Sequence, residues 1–412
     1  MPATEPVQSR KKRRRLSWLW RLGAVFAPVL AALLLTRGYA PRMREAVPVE
    51  VAEESEAGTW HDAARFLAGL KGRENGAYRR LEESPAWRKY SSEWNETWSR
   101  AEEEQFEPVG AFQKRELASF GGNSDFVFYP LSGPDVLYVT RFFPDSRVFV
   151  LAGLERVGSL RRLGEFTPEN LERELRGWKQ AVESIFARSF FVTSEMDRYY
   201  HGRVSDGLLP TMLLLLARDG CVIEQVRYGR VDSSGEFLPE EPGEQVRRHE
   251  GVEIRFRRGS ETGSRKLFYF STNLGPEFER NPRVSSFLHR LGTPDTLVKS
   301  AAFLLHWKTC IGLRNYILES SNLILEDDTG IPFRYFRPSD WQVQLFGEYS
   351  PPDHLFRRQY QEDLAEAFQD PARVRPLGFS LGYGAGRRPS SMILARRARA
   401  PAQPGTNSPS SR

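Results

Sequence analysis

Within about 30 residues, from Asp125 to Glu155, the local pattern of the chain changes three times, and this stretch narrows the choice of folds further than any other. Phe126-Val-Phe-Tyr129 reads as a buried strand and Pro130-Leu-Ser-Gly-Pro-Asp135 as a sharp turn. Val136 to Phe143 suits a short helix ended by Pro144-Asp145, and Arg147 to Ala152 a second strand closing at Gly153-Leu-Glu155. Strand, glycine-bearing turn, helix and strand in that span have the size of a βαβ unit. The fold class expected is therefore mixed α/β, with a central βαβ-containing sheet.

The flanking sequence fills in the rest. From Thr59 to about Leu117 the period is helical, and Trp87, Tyr90, Trp94 and Trp98 recur at three- and four-residue steps. A tryptophan stripe at that spacing reads as a core face in preference to a carbohydrate platform. Thr167-Pro168 opens the clearest helix, and Leu208 to Ala217 is a further apolar one. Val222–Tyr228 reads as a strand, and Val252–Phe256 with Lys266–Phe270 as a hairpin turning over Gly259–Gly263. Asn281-Pro282 and Thr293-Pro294 each resemble a cap followed by proline, which predicts helices to about His289 and His306. Beyond these, Leu323–Leu325, Phe333–Phe336, Trp341–Tyr349 and Phe379–Leu381 read as strands, and Asp353–Phe368 as an amphipathic helix. The C-terminal portion is expected to be mainly antiparallel.

The N-terminal end carries a different signal. Lys11-Lys12-Arg13-Arg14-Arg15 precedes Leu16–Trp20, Arg21 and the uncharged run Leu22 to Thr36. A cationic start followed by an apolar run matches an export signal or an uncleaved anchor of about 20 residues, with Arg21 reaching back to the inner interface. The positive-inside rule then places the rest of the chain outside the cytoplasm. The expected organisation is a basic N-terminus with membrane anchor or signal at 1–40, a stalk at 41–58, a helical subdomain at 59–120, the α/β body at 121–385 and a disordered tail at 386–412.

Charge supports this division. The 412 residues carry a formal +6, but residues 1–45 hold ten Lys/Arg against two acids, and Gly386–Arg412 holds six Arg and no acid. Subtracting both ends leaves 43 basic and 51 acidic residues, so the folded part is acidic and nucleic acid is not an expected partner. Cys221 and Cys310 each sit in an apolar context and read as separate buried thiols.

Two places could carry chemistry. The turn Ser132-Gly133-Pro134-Asp135 follows a strand, and Glu155 ends the next one. In nucleotide- and methyl-donor-binding α/β proteins such a turn lets backbone approach the ligand, and an acid at that strand end takes ribose hydroxyls. One glycine stands where a dinucleotide site uses three, and Pro134 lacks an amide donor, so a plain structural turn accounts for the same residues. At Glu326-Asp327-Asp328, carboxylates gather at a strand end, although a turn before Gly330 explains them equally. Asp135, Asp327 and Asp328 are thus the candidate catalytic carboxylates, and Ser132, Gly133 and Glu155 the candidate ligand-binding residues. Thr296 and Lys299, one helical turn apart on the expected helix, form a weaker hydroxyl–lysine pair. The six histidines show no metal-ligand spacing, so no metal site is expected and the cofactor is left open.

The strings Phe128-Tyr-Pro-Leu-Ser-Gly-Pro-Asp135, Val150-Leu-Ala-Gly-Leu-Glu155 and Leu325-Glu-Asp-Asp-Thr-Gly-Ile-Pro332 resemble those of an uncharacterised group of bacterial exported proteins. The resemblance spans roughly residues 85–385. It implies the architecture and the exported address, and no site residues. Three functions are consistent with the sequence: a membrane-anchored envelope domain that binds a small molecule or protein partner, an envelope hydrolase with convergent carboxylates, and a nucleotide- or methyl-donor-binding enzyme, which needs a cytoplasmic body.

Overall fold

A computed structural model describes residues 57–118, 126–381 and 390–398, apart from 161–162, 164–165, 189–205, 242–247, 276–277, 279, 281 and 300–301. The expected anchor and stalk lie outside the described residues save for 57–58, and no described helix is long and apolar enough to cross a membrane.

The body is an α/β fold around one mixed sheet of 11 strands. In chain order these are β1 (Phe126–Pro130), β2 (Val148–Gly153), β3 (Cys221–Val231), β4 (Phe237–Pro239), β5 (Gly251–Arg258), β6 (Arg265–Ser271), β7 (Pro294–Val298), β8 (Leu323–Asp327), β9 (Trp341–Gly347), β10 (Val374–Arg375) and β11 (Ser391–Arg397). In space they run β10-β9-β11-β8-β7-β1-β2-β6-β5-β3-β4. The middle five, β8-β7-β1-β2-β6, are all parallel. Antiparallel pairing extends the sheet through β5 and β3 on one side and through β11 and β9 on the other.

Helices cover both faces. On the first face lie α1 (Ala57–Leu67), α2 (Pro85–Ala101), α3 (Val136–Phe142), α4 (Leu171–Arg188) and α5 (Leu209–Arg218), packed on Val127, Tyr129, Leu151 and Leu325. On the second lie α6 (Arg283–Leu291), α7 (Ile311–Ser320) and α8 (Glu362–Ala367), packed on Phe128, Val150 and Ile324. Alternation along each central strand sends successive side chains to opposite cores, which is why these strands read as unbroken apolar runs. The chain moves from β1 to β2 with α3 on the first face, then returns past β1 to β7 and β8 with α6 and α7 on the second. Reversing both direction and face preserves one hand of crossover, as parallel connections require.

The tryptophan stripe is core. Trp87 and Trp94 are buried, Trp87 Nε1 donates to the Phe66 carbonyl at 3.2 Å, and Ser84 caps α2 by accepting from the Trp87 amide. Cys221 and Cys310 are free and buried in opposite cores.

Five expectations need correction. Residues 294–298 form strand β7 where a helix was expected, because proline is as acceptable at the first residue of a strand as in the first turn of a helix. Phe333–Tyr335 is a single 3-10 turn, not a strand, and Phe379–Leu381 adds no strand. The stretch expected as one helix from Asp353 divides into a 3-10 segment, His354–Gln359, and the short α8. Within the expected tail, Ser391–Arg397 is not disordered. It is β11, hydrogen-bonded on both sides between β8 and β9, with Ser391–Ala395 buried.

Candidate functional site

The strand order reverses at β1. The first connection leaves β1 toward β2 on one side, and β7 later arrives on the other, so the two loops at the carboxyl ends of β1 and β7 diverge. In doubly wound sheets a crevice forms at that point. Among the described residues, the two non-glycines with left-handed backbone are Leu131 (φ 60°) and Phe303 (φ 54°), and they lie in these two loops. Such conformations cost about 1–3 kcal/mol each and persist where the surroundings impose them.

The β1 turn is tied to β2. The Ser132 amide donates to the Ala152 carbonyl at 3.2 Å, and Gly133 (φ 53°) follows in a conformation suited to glycine. A Cβ on Gly153 would stand 3.5 Å from the Gly133 amide and 2.7 Å from Glu155 Oε2, so these three residues converge around a space that only a missing side chain leaves open. The Glu155 carbonyl accepts from the Tyr269 hydroxyl at 2.9 Å. Ser132, Gly133 and Glu155, expected together from sequence, are together.

Asp135 ends the turn as the N-cap of α3, accepting from the Tyr138 amide at 3.4 Å. Its other oxygen receives the Lys299 ammonium at 2.6 Å and the Tyr129 hydroxyl at 2.8 Å. Lys299 follows β7 directly and lies 4.1 Å from the centre of the Tyr138 ring. Both charged side chains are at most 5% exposed. Burial, with the charge of Asp135 next, pushes the Tyr129 phenol well above its usual range, so it stays a donor.

Asp327, the last residue of β8, completes the group. Strand alternation puts it on the same face as Lys299, whose charge acts on it, while Glu326 turns to the opposite core. Thr329 donates to Asp327 Oδ1 through amide and hydroxyl, and Oδ2 is buried with no hydrogen-bond partner among the described residues. Burial raises the proton affinity of Asp327 against the opposing pull of Thr329 and Lys299. Asp328 departs from this group. Its carboxyl lies near Ser391 on β11, and burial together with the charge of Asp327 pushes it up to about 7. The structure therefore pairs Asp135 with Lys299, places Asp327 on the same face where the Lys299 charge acts on it, and leaves Asp328 facing the β11 side. Thr296 is separated from Lys299 by the change from helix to strand, and its hydroxyl pairs with Ser321 at 2.7 Å on the second face.

One cation between two carboxylates leaves the cluster one negative charge in excess, or one proton shared. It is suited to accept or hold a proton and to receive hydroxyl or ammonium donors from a ligand. Sequence reasoning missed Tyr129 and Tyr138 altogether and placed Lys299 on the wrong element. The available signal was the alternation Asp295, Leu297, Lys299, which marks one strand face.

Fold and site define a doubly wound α/β protein with a polar cluster at its switch point. No family model matches the chain, and no curated protein or solved structure matches it either.

Proposed function

We propose that the body binds a small molecule across the carboxyl ends of β1, β2 and β7, and that residues 1–40 tether it to a membrane. The observation that carries the binding reading is the reversal of strand order at β1, with the two left-handed non-glycines, Leu131 and Phe303, in the loops that flank it. The ligand carries a ring diol, for which a nucleoside is the first candidate. Numbered among themselves, the five parallel strands follow the order 3-2-1-4-5 of doubly wound nucleotide-binding folds, and Glu155 stands where the ribose acceptor belongs. That likeness is one of architecture and does not by itself carry an activity.

Thermal unfolding with adenosine, ATP, NAD and S-adenosylmethionine tests this reading, with glucose and ribitol as hydroxyl-rich controls. A saturable rise in Tm from one nucleoside compound, abolished in Glu155→Gln, is the expected result. No rise from any of them would remove the nucleoside from the proposal. An alkaline phosphatase fusion after residue 60 reports the compartment: a silent fusion fits a cytoplasmic nucleoside, and an active one fits an exported body with a different diol.

A second reading, a hydrolase, is favoured by one observation, the buried unpaired Oδ2 of Asp327 beside Lys299. It requires Asp327→Asn to abolish turnover while leaving ligand binding in place.

A further inference from the structure

Arg314, on α7, is a buried cation with no ion-paired carboxylate among the described residues. The residue is 6% exposed, and one guanidinium nitrogen donates to the Leu305 carbonyl at 2.9 Å. The group lies 4.2 Å from the Tyr335 ring centre, and its Nε–H is buried without a partner among the described residues. Burying an uncompensated guanidinium costs several kcal/mol, and proteins offset that cost with a counter-ion. Here the offsets within the described chain are one carbonyl and one aromatic face.

Two more donors lie in the neighbourhood, Arg334 by the same Tyr335 ring and His306 next to Leu305, whose carbonyl Arg314 holds. Arg334, exposed on the turn after β8, has its guanidinium 5.0 Å from the same Tyr335 ring and makes no ion pair among the described residues. His306 is half-buried, its Nε2 is enclosed with no geometric hydrogen bond among the described residues, and the Gln359 side chain lies against the ring. Burial first, then Arg334 and Arg314, push the His306 imidazole down to about 4, so both guanidiniums act on this ring from nearby. The backbone holds the ring in position. The His306 amide donates to the Phe303 carbonyl at 3.0 Å, the Phe303 ring meets the imidazole edge-on at 5.1 Å, and Phe303 is one of the two strained residues.

We propose that Arg314, Arg334 and His306 form a receptor for an oxyanion, the carboxylate or phosphate group of a ligand. Arginine forks match the paired oxygens of either group, and an imidazole supplies a third donor once an anion sits beside it. The receptor lies on the second face of the sheet, opposite the Asp135–Lys299 cluster, and stands independently of the nucleoside reading.

The test uses the full chain, with inorganic phosphate and succinate titrated separately at constant ionic strength against sodium chloride. At least one anion is expected to raise Tm saturably, phosphate alone marking a phosphate receptor and succinate alone a carboxylate one. Arg334→Ala, at an exposed side chain, should keep the Tm seen in chloride and weaken the anion effect on the order of tenfold. Arg314→Lys should weaken it as well, by losing the fork. The proposal is overturned if neither anion acts beyond matched chloride, or if Arg334→Ala leaves the anion response unchanged.

Discussion

Lys299 and Asp327 stand side by side on one face of neighbouring parallel strands, one step past the last ladder pair of β7 and β8, Val298 with Glu326. Asp135 closes on the same ammonium from the β1 turn. The cluster is therefore made by strand register, and its members depend on one another.

Lys299→Ala should be strongly destabilising, by about 3–5 kcal/mol, because it leaves the buried Asp135 carboxylate without its counter-charge. Lys299→Met keeps the stem against Tyr138, and Lys299→Met with Asp135→Asn should recover much of the loss. Urea unfolding of the three variants checks this. Equal stability of Lys299→Ala and wild type would mean that the ion pair is not formed.

The carboxyl of Asp328 is held near 7, above its unfolded value of about 3.9. The folded state thus binds this proton more tightly than the unfolded one. Its contribution is complete below about pH 4 and is lost as pH rises through about 7. Asp327 and Glu326, both raised by burial, act with the same sign, whereas His306, lowered to about 4, acts with the opposite sign. The difference between wild type and Asp328→Asn reports this group together with its interaction with Asp327 and Glu326. Urea midpoints from pH 4 to 8 should fall less steeply in the variant, and parallel curves would refute the assignment.

Gly330 leaves room for a buried carboxyl. A Cβ there would sit 2.4 Å from Glu326 Oε2, the oxygen that accepts from the Ile331 amide at 2.8 Å. Gly330→Ala should cost about 1–3 kcal/mol through overpacking. A double-mutant cycle with Glu326→Ala should show that the two penalties are not additive, since removing the carboxyl relieves the two closest contacts and leaves only the Glu326 Cβ at 2.9 Å.

Truncation separates β11 from the last residues of the chain. A chain ending after Ala398 should fold as the full chain does, with an unchanged urea midpoint. One ending at Ser390 loses the strand that joins β8 to β9, and with it the buried Ile393 and Leu394. It should be insoluble or lack a cooperative transition by circular dichroism.

Legibility of the fold in the sequence depends on where local pattern and tertiary context agree. The β1–α3–β2 unit, α5 and the β5–β6 hairpin were readable because their periods are clean and glycine or proline marks their ends. β7 was misread because Thr293-Pro294 satisfies a helix start as well as a strand start, and only two parallel neighbours settle the choice. β11 was hidden because Met392–Ala395 is a short apolar run between arginines, serines and prolines, and its burial comes wholly from distant partners. The acids of the site were visible because they sit in turns or at the strand ends beside them. Lys299 was visible only as the partner of Thr296 on a helix, and Arg314 not at all, since a lone cation in an apolar segment gives no sign of what faces it.

The position of β11 also sets an order of events. Until residues 391–397 are in place, β8 and β9 each present an open strand edge, and the hydrophobic residues beside them lack a neighbour. A chain emerging from the ribosome must carry that gap until residues 391–397 have appeared, the period in which open sheets recruit the wrong partner. Assembly of this sheet is gated at its late end, and a chaperone that shields an unfinished strand would be of most use there.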